Sequence, residues 1–445
     1  MPPRCNTNER NSVGDANSNK PAGARCSRCP TTNEADLDEI LMRIALSNAI
    51  YSTPKYPKIF GGAEVFVRQL AEQLVECGNE VIVIRFSPSG SYESEIVNGV
   101  TVHFVPVRNL FPPFENQKNP LLRTAWHLID DWQRADARVG SILTSFKPDI
   151  LHSNTLNGLT TDVWRAAKSL KIPVLHTLHD YYLICPRCSR FKRGQSCENS
   201  CGACSLLTIG RRRNSSLVDA VVGVSQRTLD LHVNNGVFTA GSVKRVVRNA
   251  PNPSIAFTPQ PEFSGLLTVG YLGRFSEEKG VRLLAEAANL LPAETLRLKL
   301  AGNVTDDEKS YLKALAPQVD LEFVGFVDPS DFYSTVDVVT IPSIWEEPSG
   351  LALIDALAAG RPVLATSYGG IGELVEDGVT GWIAEPDAAS FALKLGNLAE
   401  NPHLLQQVHQ ALSQRKNRRT LADMVSEYRQ IYQSVLDLAP AALAN

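Results

Sequence analysis

The chain has 445 residues, of which 43% are hydrophobic and 20% are charged, and its formal net charge is −3. Because one ordinary core does not cover this length, two domains are expected. The nearly neutral charge argues against nucleic acid as a partner. No apolar run reaches the roughly 20 residues that span a bilayer, and no secretory signal pattern opens the sequence. A cytoplasmic protein with mostly reduced cysteines is therefore expected.

Residues 1–38 are rich in Asn, Ser, Pro, Gly and Arg and contain almost no large apolar side chains. Such a segment buries too little surface to offset the loss of chain entropy. We therefore expect residues 1–41 to form a disordered tail. Met42 opens the first apolar run and is a candidate for the true start of translation.

From Met42 onward, β-branched runs alternate with helical patterns, and a proline-rich break at residues 249–261 divides the alternation in two. This alternation predicts parallel sheets covered by helices on both faces. We expect an α/β protein with two doubly wound, Rossmann-like domains, residues 42–253 and 254–415, which face each other across a cleft. The last segment, residues 416–445, is expected to be a helix that packs back on the first domain.

The predicted elements follow this order along the chain. In the first domain, strands are predicted at 43–49, 80–86, 100–105, 150–152, 174–178 and 220–224, with helices at 63–77 and 121–146. In the second domain, strands are predicted at 267–272, 297–301, 321–323, 338–341, 362–365 and 381–384, with helices at 279–291, 306–314, 330–335, 351–359 and 388–398. The last helix is predicted at 421–436. The Trp and Leu stripe of helix 121–146 is expected to pack in the core.

An acidic residue and a helix start lie together between residues 342 and 360. Glu347 precedes the turn at Ser349 and Gly350, a helix is predicted from Leu351, and Asp355 lies one turn inside it. A helix start presents free N–H groups and the positive end of a dipole, which suit a phosphate. The two acids suit hydroxyl groups, so the segment predicts a site for a nucleotide sugar.

Two glycine loops accompany this segment. Gly61 and Gly62 lie between the first strand and the first helix, where they let a ligand approach the backbone, although the pair alone also fits a simple tight turn. In the second domain, Gly273 and Arg274 follow a strand, and Lys279 is placed at the next helix start. Two cations on one loop would stabilise a diphosphate.

Together these segments resemble those of the family 4 retaining glycosyltransferases, which have the GT-B fold. The resemblance covers nearly all of residues 42–436 and rests on five segments, which are 61–64, 273–280, 347–355, Gly369-Gly370 with Glu373, and 376–381. The family pattern is Glu, seven residues, then Glu. This chain has Asp355 at the second position.

The resemblance implies a role for each matching residue. Arg274 and Lys279 would hold the donor diphosphate, and Glu347 would bind hydroxyls of the donor sugar. The Gly350 and Leu351 amides would meet the phosphate, and Asp355 would accept from the ribose. His179 follows a strand and is more often structural by itself, but related enzymes carry a His here that lines the donor sugar. We further expect acceptor contacts from the preceding loop, at His152, Asn154 and Asn157.

Five cysteines lie within twenty residues, at Cys185, Cys188, Cys197, Cys201 and Cys204. Their density fits a structural zinc site that uses four thiolates, and it fits a loop of free or partly paired thiols equally well. The surrounding segment is basic through Arg187, Arg190, Lys192, Arg193 and the run Arg211-Arg212-Arg213. These charges could attract an anionic lipid headgroup or a lipid-diphosphate acceptor, with peripheral binding at the inner face of the membrane.

The expected function is transfer of a hexose from a nucleoside diphosphate sugar to a glycan or lipid-linked acceptor, with retention, in surface polysaccharide or glycolipid biosynthesis. No cofactor is expected to be required, because Arg274, Lys279 and the helix start can stabilise the leaving diphosphate. A nucleotide-sugar epimerase or a phosphorylase of similar fold remains an alternative. A nucleotide-sugar-binding protein without turnover is the alternative outside enzymes.

Overall fold

The computed structural model describes residues 41–57, 61–114, 119–238 and 241–442. Except for Leu41, the predicted tail lies outside the described residues, and so do Cys5, Cys26 and Cys29. The fold is the predicted one: two α/β units, each built on a largely or wholly parallel sheet.

The first sheet has eight strands in the order β10-β9-β6-β5-β1-β2-β4-β3, and only the pair of β3 and β4 is antiparallel. The elements of the first domain are β1 (Arg43–Ser47), α1 (Gly62–Glu76), β2 (Glu80–Phe86), β3 (Glu93–Val97), β4 (Val100–Val105), α2 (Pro120–Trp132), α3 (Ala137–Phe146), β5 (Ile150–Ser153), α4 (Asp162–Ser169), β6 (Val174–Leu178), the hairpin β7 (Phe191–Lys192) and β8 (Gln195–Ser196), α5 (Gly202–Leu206), α6 (Ile209–Asn214), β9 (Ala220–Gly223), α7 (Gln226–Asn234) and β10 (Val243–Val246). The hairpin of β7 and β8 is a separate two-stranded sheet.

The second sheet has six parallel strands in the order β13-β12-β11-β14-β15-β16. Its elements are β11 (Leu267–Leu272), α8 (Val281–Asn289), β12 (Leu296–Ala301), α9 (Asp306–Leu315), β13 (Asp320–Gly325), α10 (Pro329–Ser334), β14 (Val338–Ile341), α11 (Leu351–Ala358), β15 (Val363–Ala365), β16 (Gly381–Ile383), α12 (Ala388–Glu400), α13 (His403–Ser413) and α14 (Leu421–Ala442).

Apolar side chains fill both faces of each sheet, which explains why the central strands read as continuous hydrophobic runs. The last helix, α14, does not join the second domain. Its Met424, Tyr428 and Tyr432 are buried in the core of the first domain, against α1 and the strands. The chain therefore crosses between the two sheets twice, once before β11 and once before α14.

The structure corrects the prediction of one long helix at 121–146. Gln133 adopts an extended conformation and ends α2, and the Asp136 side chain accepts a hydrogen bond from Arg138 N, which starts α3. The Trp and Leu stripe is also divided. Trp126 and Ile142 are buried as expected, whereas Leu128 and Trp132 are exposed.

The sequence pattern did not predict several of the elements, among them β3, β10, the β7–β8 hairpin and α13. The strand β3 lies at the edge of its sheet and begins with Glu-Ser-Glu, so it lacks the apolar run that marked the other strands. No helix within the described residues is both long and apolar enough to cross a bilayer.

Candidate functional site

Two loops of the second domain carry the residues predicted to bind the donor, and these loops meet because the strands before them are neighbours. β11 leads into the loop with Arg274 and Lys279, β14 leads into the loop with Glu347, and the two strands pair in parallel. Ile344 N donates to Glu278 O at 3.0 Å and joins the two loops directly. Both loops thus lie at the carboxyl edge of the sheet, where ligands bind in folds of this kind.

The carboxylate of Glu347 is the centre of this site. Its Oε2 accepts from Lys279 Nζ at 2.5 Å, from Trp345 Nε1 at 3.0 Å and from Ser343 Oγ at 3.4 Å. The Lys279 ammonium also lies 5.3 Å from the centre of the Trp345 ring. A buried carboxylate needs such partners to remain charged, and here the partners leave its second oxygen for a ligand.

The sequence predicted that Lys279 opens a helix, and this prediction is wrong. It ends a 3-10 turn at Glu277–Lys279, and α8 begins only after Gly280, whose φ of 72° is left-handed. A Cβ on residue 280 would lie 1.8 Å from Pro342 O, so no other residue fits there. This chain reversal turns Lys279 toward Glu347, and the unfavourable placement of a cation at a helix start does not arise.

The start of α11 is shaped by glycines. Gly350 precedes the helix with a φ of 71°, and the Ser349 hydroxyl accepts from Asn249 Nδ2 at 3.0 Å. Gly369 packs so closely that an added Cβ would lie 2.2 Å from Glu347 O, and Gly370 N donates to the same oxygen at 2.7 Å. The backbone of the Glu347 loop is therefore held from both sides.

Asp355 lies one turn inside α11, as predicted, and one of its oxygens is already bound. Oδ1 accepts from Asn252 N at 2.8 Å, in the segment that joins the two domains. Burial raises the pKa of this carboxyl to about 6. This carboxylate therefore holds the segment that joins the two domains, and the predicted contact with a ribose stays a prediction.

The glycine loop of the first domain reaches the start of α11. A Cβ on Gly62 would lie 2.6 Å from Leu351 Cδ1, so the two domains approach closely here and a side chain at residue 62 would have to displace that of Leu351. Gly61 N donates to the Glu64 carboxylate at 2.7 Å, which caps α1. Burial raises the pKa of Glu64 to about 7, opposed by its backbone hydrogen bonds and by the Arg274 charge.

Arg274 is the most accessible charge of the site. Its side chain is 60% exposed, and its ion pair with Glu278 is long, at 3.6 Å. Gly273 N donates to Ala301 O at 3.0 Å, and a Cβ on Gly302 would lie 2.1 Å from Gly273 O, so the strand end beside Arg274 is tightly packed. A rigid backbone thus carries a guanidinium that is free to reach a ligand.

His179 follows β6, and its Nε2 lies 3.0 Å from Asn154 Oδ1. The Asn154 amide nitrogen faces the carbonyls of Ser47 and His152, so its oxygen faces the imidazole. Nε2 therefore carries the proton and Nδ1 keeps its lone pair. Burial lowers the pKa of His179 to about 3, which makes it a neutral residue at physiological pH. Two residues on, the Tyr181 ring lies 6.3 Å from that of Trp345.

Of the three expected acceptor residues, His152 is placed elsewhere. It is fully buried, and its two ring nitrogens bond Tyr432 Oη at 2.7 Å and Thr177 Oγ1 at 2.8 Å. It therefore joins α14 to the sheet and cannot contact an acceptor. Asn154 orients His179, and Asn157 Nδ2 donates to Cys188 Sγ at 3.2 Å, so both are buried supports of the loop.

The five cysteines remain near one another as free thiols. Cys201 and Cys204 have their sulfurs 3.5 Å apart, and a hydrogen bond from Cys204 lowers the pKa of Cys185 to about 6. Cys188 instead points toward Asn157, and burial raises its pKa. Within the described ranges, no three His, Cys, Asp or Glu side chains are grouped so as to hold a metal ion. The arrangement gives the expected zinc site no support.

The basic character of this segment is also smaller than its sequence indicated. Arg211 is buried and forms ion pairs with Asp130 at 3.0 Å and Asp131 at 3.4 Å. Arg190 is buried as well and donates to Cys197 O and Glu198 O. These two arginines hold the first domain together and offer no charge to a lipid.

Contacts between the domains involve Arg227 and Glu346, which the sequence pattern did not indicate, and Glu373, which lies in one of the segments that carry the family resemblance. Arg227, at the start of α7, forms a two-pronged ion pair with Glu346, with distances of 2.5 and 3.0 Å. The Glu373 carboxylate accepts from the backbone N–H groups of Gln226 at 3.1 Å and Arg227 at 2.7 Å. Glu346 directly precedes Glu347, and this doubled acid was the one available signal.

The comparisons with known proteins agree with the fold. A family model described as Glycosyltransferase Family 4 matches residues 60–247, and one described as Glycosyl transferases group 1 matches residues 267–401. An uncharacterized 42.6 kDa protein in the cps region of Klebsiella pneumoniae is 34% identical over 335 residues, which cover 75% of this chain and 87% of that protein.

The chain belongs to glycosyltransferase family 4. A lipopolysaccharide 1,2-N-acetylglucosaminetransferase of Salmonella typhimurium is similar to part of this family 4 chain, with 36% identity over 132 residues that cover 26% of this chain and 34% of that protein. The Anabaena protein HepE in complex with UDP and glucose shares the fold, with a TM-score of 0.64, 20% identity and coverage of 88% of this chain and 100% of that chain.

Proposed function

We propose that the protein is a retaining hexosyltransferase that moves a sugar from a nucleoside diphosphate sugar to a hydroxyl of a glycan or lipid-linked acceptor. The observation that carries the proposal is the meeting of Gly62 with Leu351, beside the pair of Lys279 and Glu347. A backbone loop of the first domain, a helix start, two cations and an oriented carboxylate are thus brought to the junction of the two domains.

Each group has a chemical task in this proposal. The guanidinium of Arg274, which has only a long ion pair, binds the diphosphate, and Lys279 shares its charge between the diphosphate and Glu347. As the bond to the anomeric carbon breaks, negative charge grows on the diphosphate, and groups already oriented toward it stabilise that charge. Glu347 accepts from hydroxyls of the sugar, and Asp355 accepts from the ribose through its unbound oxygen.

His179 contributes through its neutral form. With the proton on Nε2 held by Asn154, the Nδ1 lone pair can accept from a sugar hydroxyl. An imidazole with a pKa of about 3 adds no positive charge next to a carbon that itself becomes positive. In the retaining reaction, the acceptor hydroxyl attacks from the side that the diphosphate leaves, and its proton passes to the departing phosphate. No divalent ion takes part in this scheme.

A surface polysaccharide or glycolipid is the proposed product, and the inner face of the membrane is the proposed location. Support comes from the lipopolysaccharide transferase that resembles part of the chain. The test is incubation of the protein with a panel of nucleotide sugars and membrane extract, followed by NMR of the product. We expect transfer that survives EDTA and a product with the anomeric configuration of the donor. Inverted configuration would contradict retention, and conversion of the donor without an acceptor would favour an epimerase.

A further inference from the structure

The outer face of α2 is apolar, although it lies on the surface of the first domain. Leu121 is 78% exposed, Leu128 is 41% exposed and Trp132 is 58% exposed. Their spacing of seven and four residues places them on one side of the helix. Large apolar side chains aligned in this way on a surface mark an interaction site more often than isolated ones do.

A second helix extends this face. The Asp131 carboxylate accepts from Gly210 N at 2.6 Å, which fixes the start of α6 beside the end of α2. Ile209, the residue before Gly210, is 44% exposed. The α2 surface is defined here as Leu121, Leu128, Trp132 and Ile209. Because it involves two helices that an ion pair network holds together, it has a fixed shape.

Exposed arginines lie beside the α2 surface. The two acids of α2, Asp130 and Asp131, are buried and paired with Arg211. Arg123 and Arg187 are exposed, and both lie near enough to His127 on α2 to contribute to the lowering of its pKa, which burial dominates. Arg213, one turn after Ile209 on α6, is exposed as well. An apolar face with a cationic border therefore results.

We infer that the α2 surface binds the protein to an anionic lipid membrane. Leu and Trp side chains of an interfacial helix bury in the boundary between headgroups and acyl chains, and each nearby cation adds attraction to anionic lipids. A second copy of the chain suits this surface less well, because a twofold contact would bring the cationic borders together. The inference adds a place of action to the proposed function, and its test requires no donor.

Vesicle sedimentation tests the inference with the full chain. We expect binding to phosphatidylcholine vesicles in which about one lipid in three is phosphatidylglycerol, and much weaker binding to phosphatidylcholine alone. A Leu121→Ser/Leu128→Ser variant should bind at least about tenfold more weakly, because two buried apolar side chains are lost. Leu393→Ser is the matched control, since Leu393 is 75% exposed on α12 of the second domain.

Tryptophan fluorescence gives a second readout. Of the five tryptophans, Trp126, Trp164, Trp345 and Trp382 are buried, and Trp132 alone is exposed. Addition of anionic vesicles should therefore shift the emission to the blue through Trp132, and Trp132→Phe should remove the shift while most of the binding remains. Unchanged binding of the double variant would overturn the inference. So would a dimer that the double variant abolishes, in a protein that does not bind the vesicles.

Discussion

The Lys279 ammonium and the Glu347 carboxylate lie 2.5 Å apart at the junction of two loops from adjacent strands. Their contact orients the carboxylate, and in the proposed mechanism it places a cation where the leaving diphosphate needs one. The two residues are 68 positions apart in the sequence, and the pairing of β11 with β14 brings them together.

Replacement of either residue should therefore stop transfer without unfolding the protein. We expect Glu347→Gln and Lys279→Met each to lower the transfer rate by about 10²–10³-fold, the effect of losing one oriented electrostatic group. Because the two act together, the double variant should lose much less than the product of the single losses. Initial rates with saturating donor measure this.

The control for these variants is a lysine on a strand of the second domain. Lys299 lies 3.8 Å from Glu322 across β12 and β13, away from the Glu347 loop. Lys299→Met should retain full activity and nearly the same melting temperature. Full activity of Glu347→Gln would contradict the assigned role of the carboxylate.

The ion pair of Arg227 and Glu346 should matter for donor binding more than for stability. Arg227→Ala removes a bridge from the first domain to the residue next to Glu347. Because the arginine is half exposed, we expect a loss of only about 1 kcal/mol in unfolding free energy, together with a several-fold higher KM for the donor. Arg297→Ala breaks a pair with Asp320 inside the second domain and should leave KM unchanged. Equal KM values in both variants would show that the bridge has no functional part.

The stability of the protein should fall as the pH rises through the range in which Glu64 ionises. Burial raises the pKa of this carboxyl from 4.5 to about 7, so the folded chain holds a proton that the unfolded chain releases. The protonated form is the more stable one, and stability is lost between about pH 4.5 and pH 7. Glu64→Gln keeps an oxygen for Gly61 N–H but has no charge. Its advantage in unfolding free energy over the wild type, measured by denaturant unfolding, should grow from pH 5 to pH 8 by on the order of 2 kcal/mol. A constant difference across this range would contradict the assignment.

The cysteines should behave as thiols of unequal reactivity. Cys201 is exposed and its pKa is lowered by hydrogen bonds to Cys204, whereas the pKa of buried Cys188 is raised. Brief treatment with an alkylating reagent and peptide mass mapping should therefore find Cys201 modified before Cys188. Elemental analysis is the companion measurement. One zinc ion per chain, together with a Cys201 that resists alkylation, would support the metal site that the cysteine spacing suggested.

The sequence predicted the large elements of this protein well, for a physical reason. Strands such as β2, β6 and β11 are buried on both faces and therefore read as continuous apolar runs with turn residues at their ends. The edge strand β3 has no such run. The break between α2 and α3 depends on how Asp136 caps a new helix, and residues 121–146 are otherwise compatible with one continuous helix.

Local motifs also located the Glu347 segment, but they could not give the partners of each residue. The sequence predicts an acceptor contact for His152, but in the fold this residue is buried against Tyr432 of α14. The motif predicts a ribose contact for Asp355, which stays a prediction, and the fold shows that this carboxylate binds the Asn252 N–H group. Such partners lie 280 and 103 residues away in the sequence. The packing of α14 on the first domain brings the first pair together, and the packing of the linker against α11 brings the second.

Whether the protein binds a nucleotide sugar through Arg274 can be measured by thermal shift and calorimetry with wild-type and Arg274→Ala protein. We expect at least one nucleotide sugar to raise the melting temperature of the wild type and to bind at least about tenfold more weakly to Arg274→Ala, because a charged hydrogen bond to the diphosphate is lost. Equal affinity of both proteins, or no binding of any nucleotide sugar to the wild type, would contradict it.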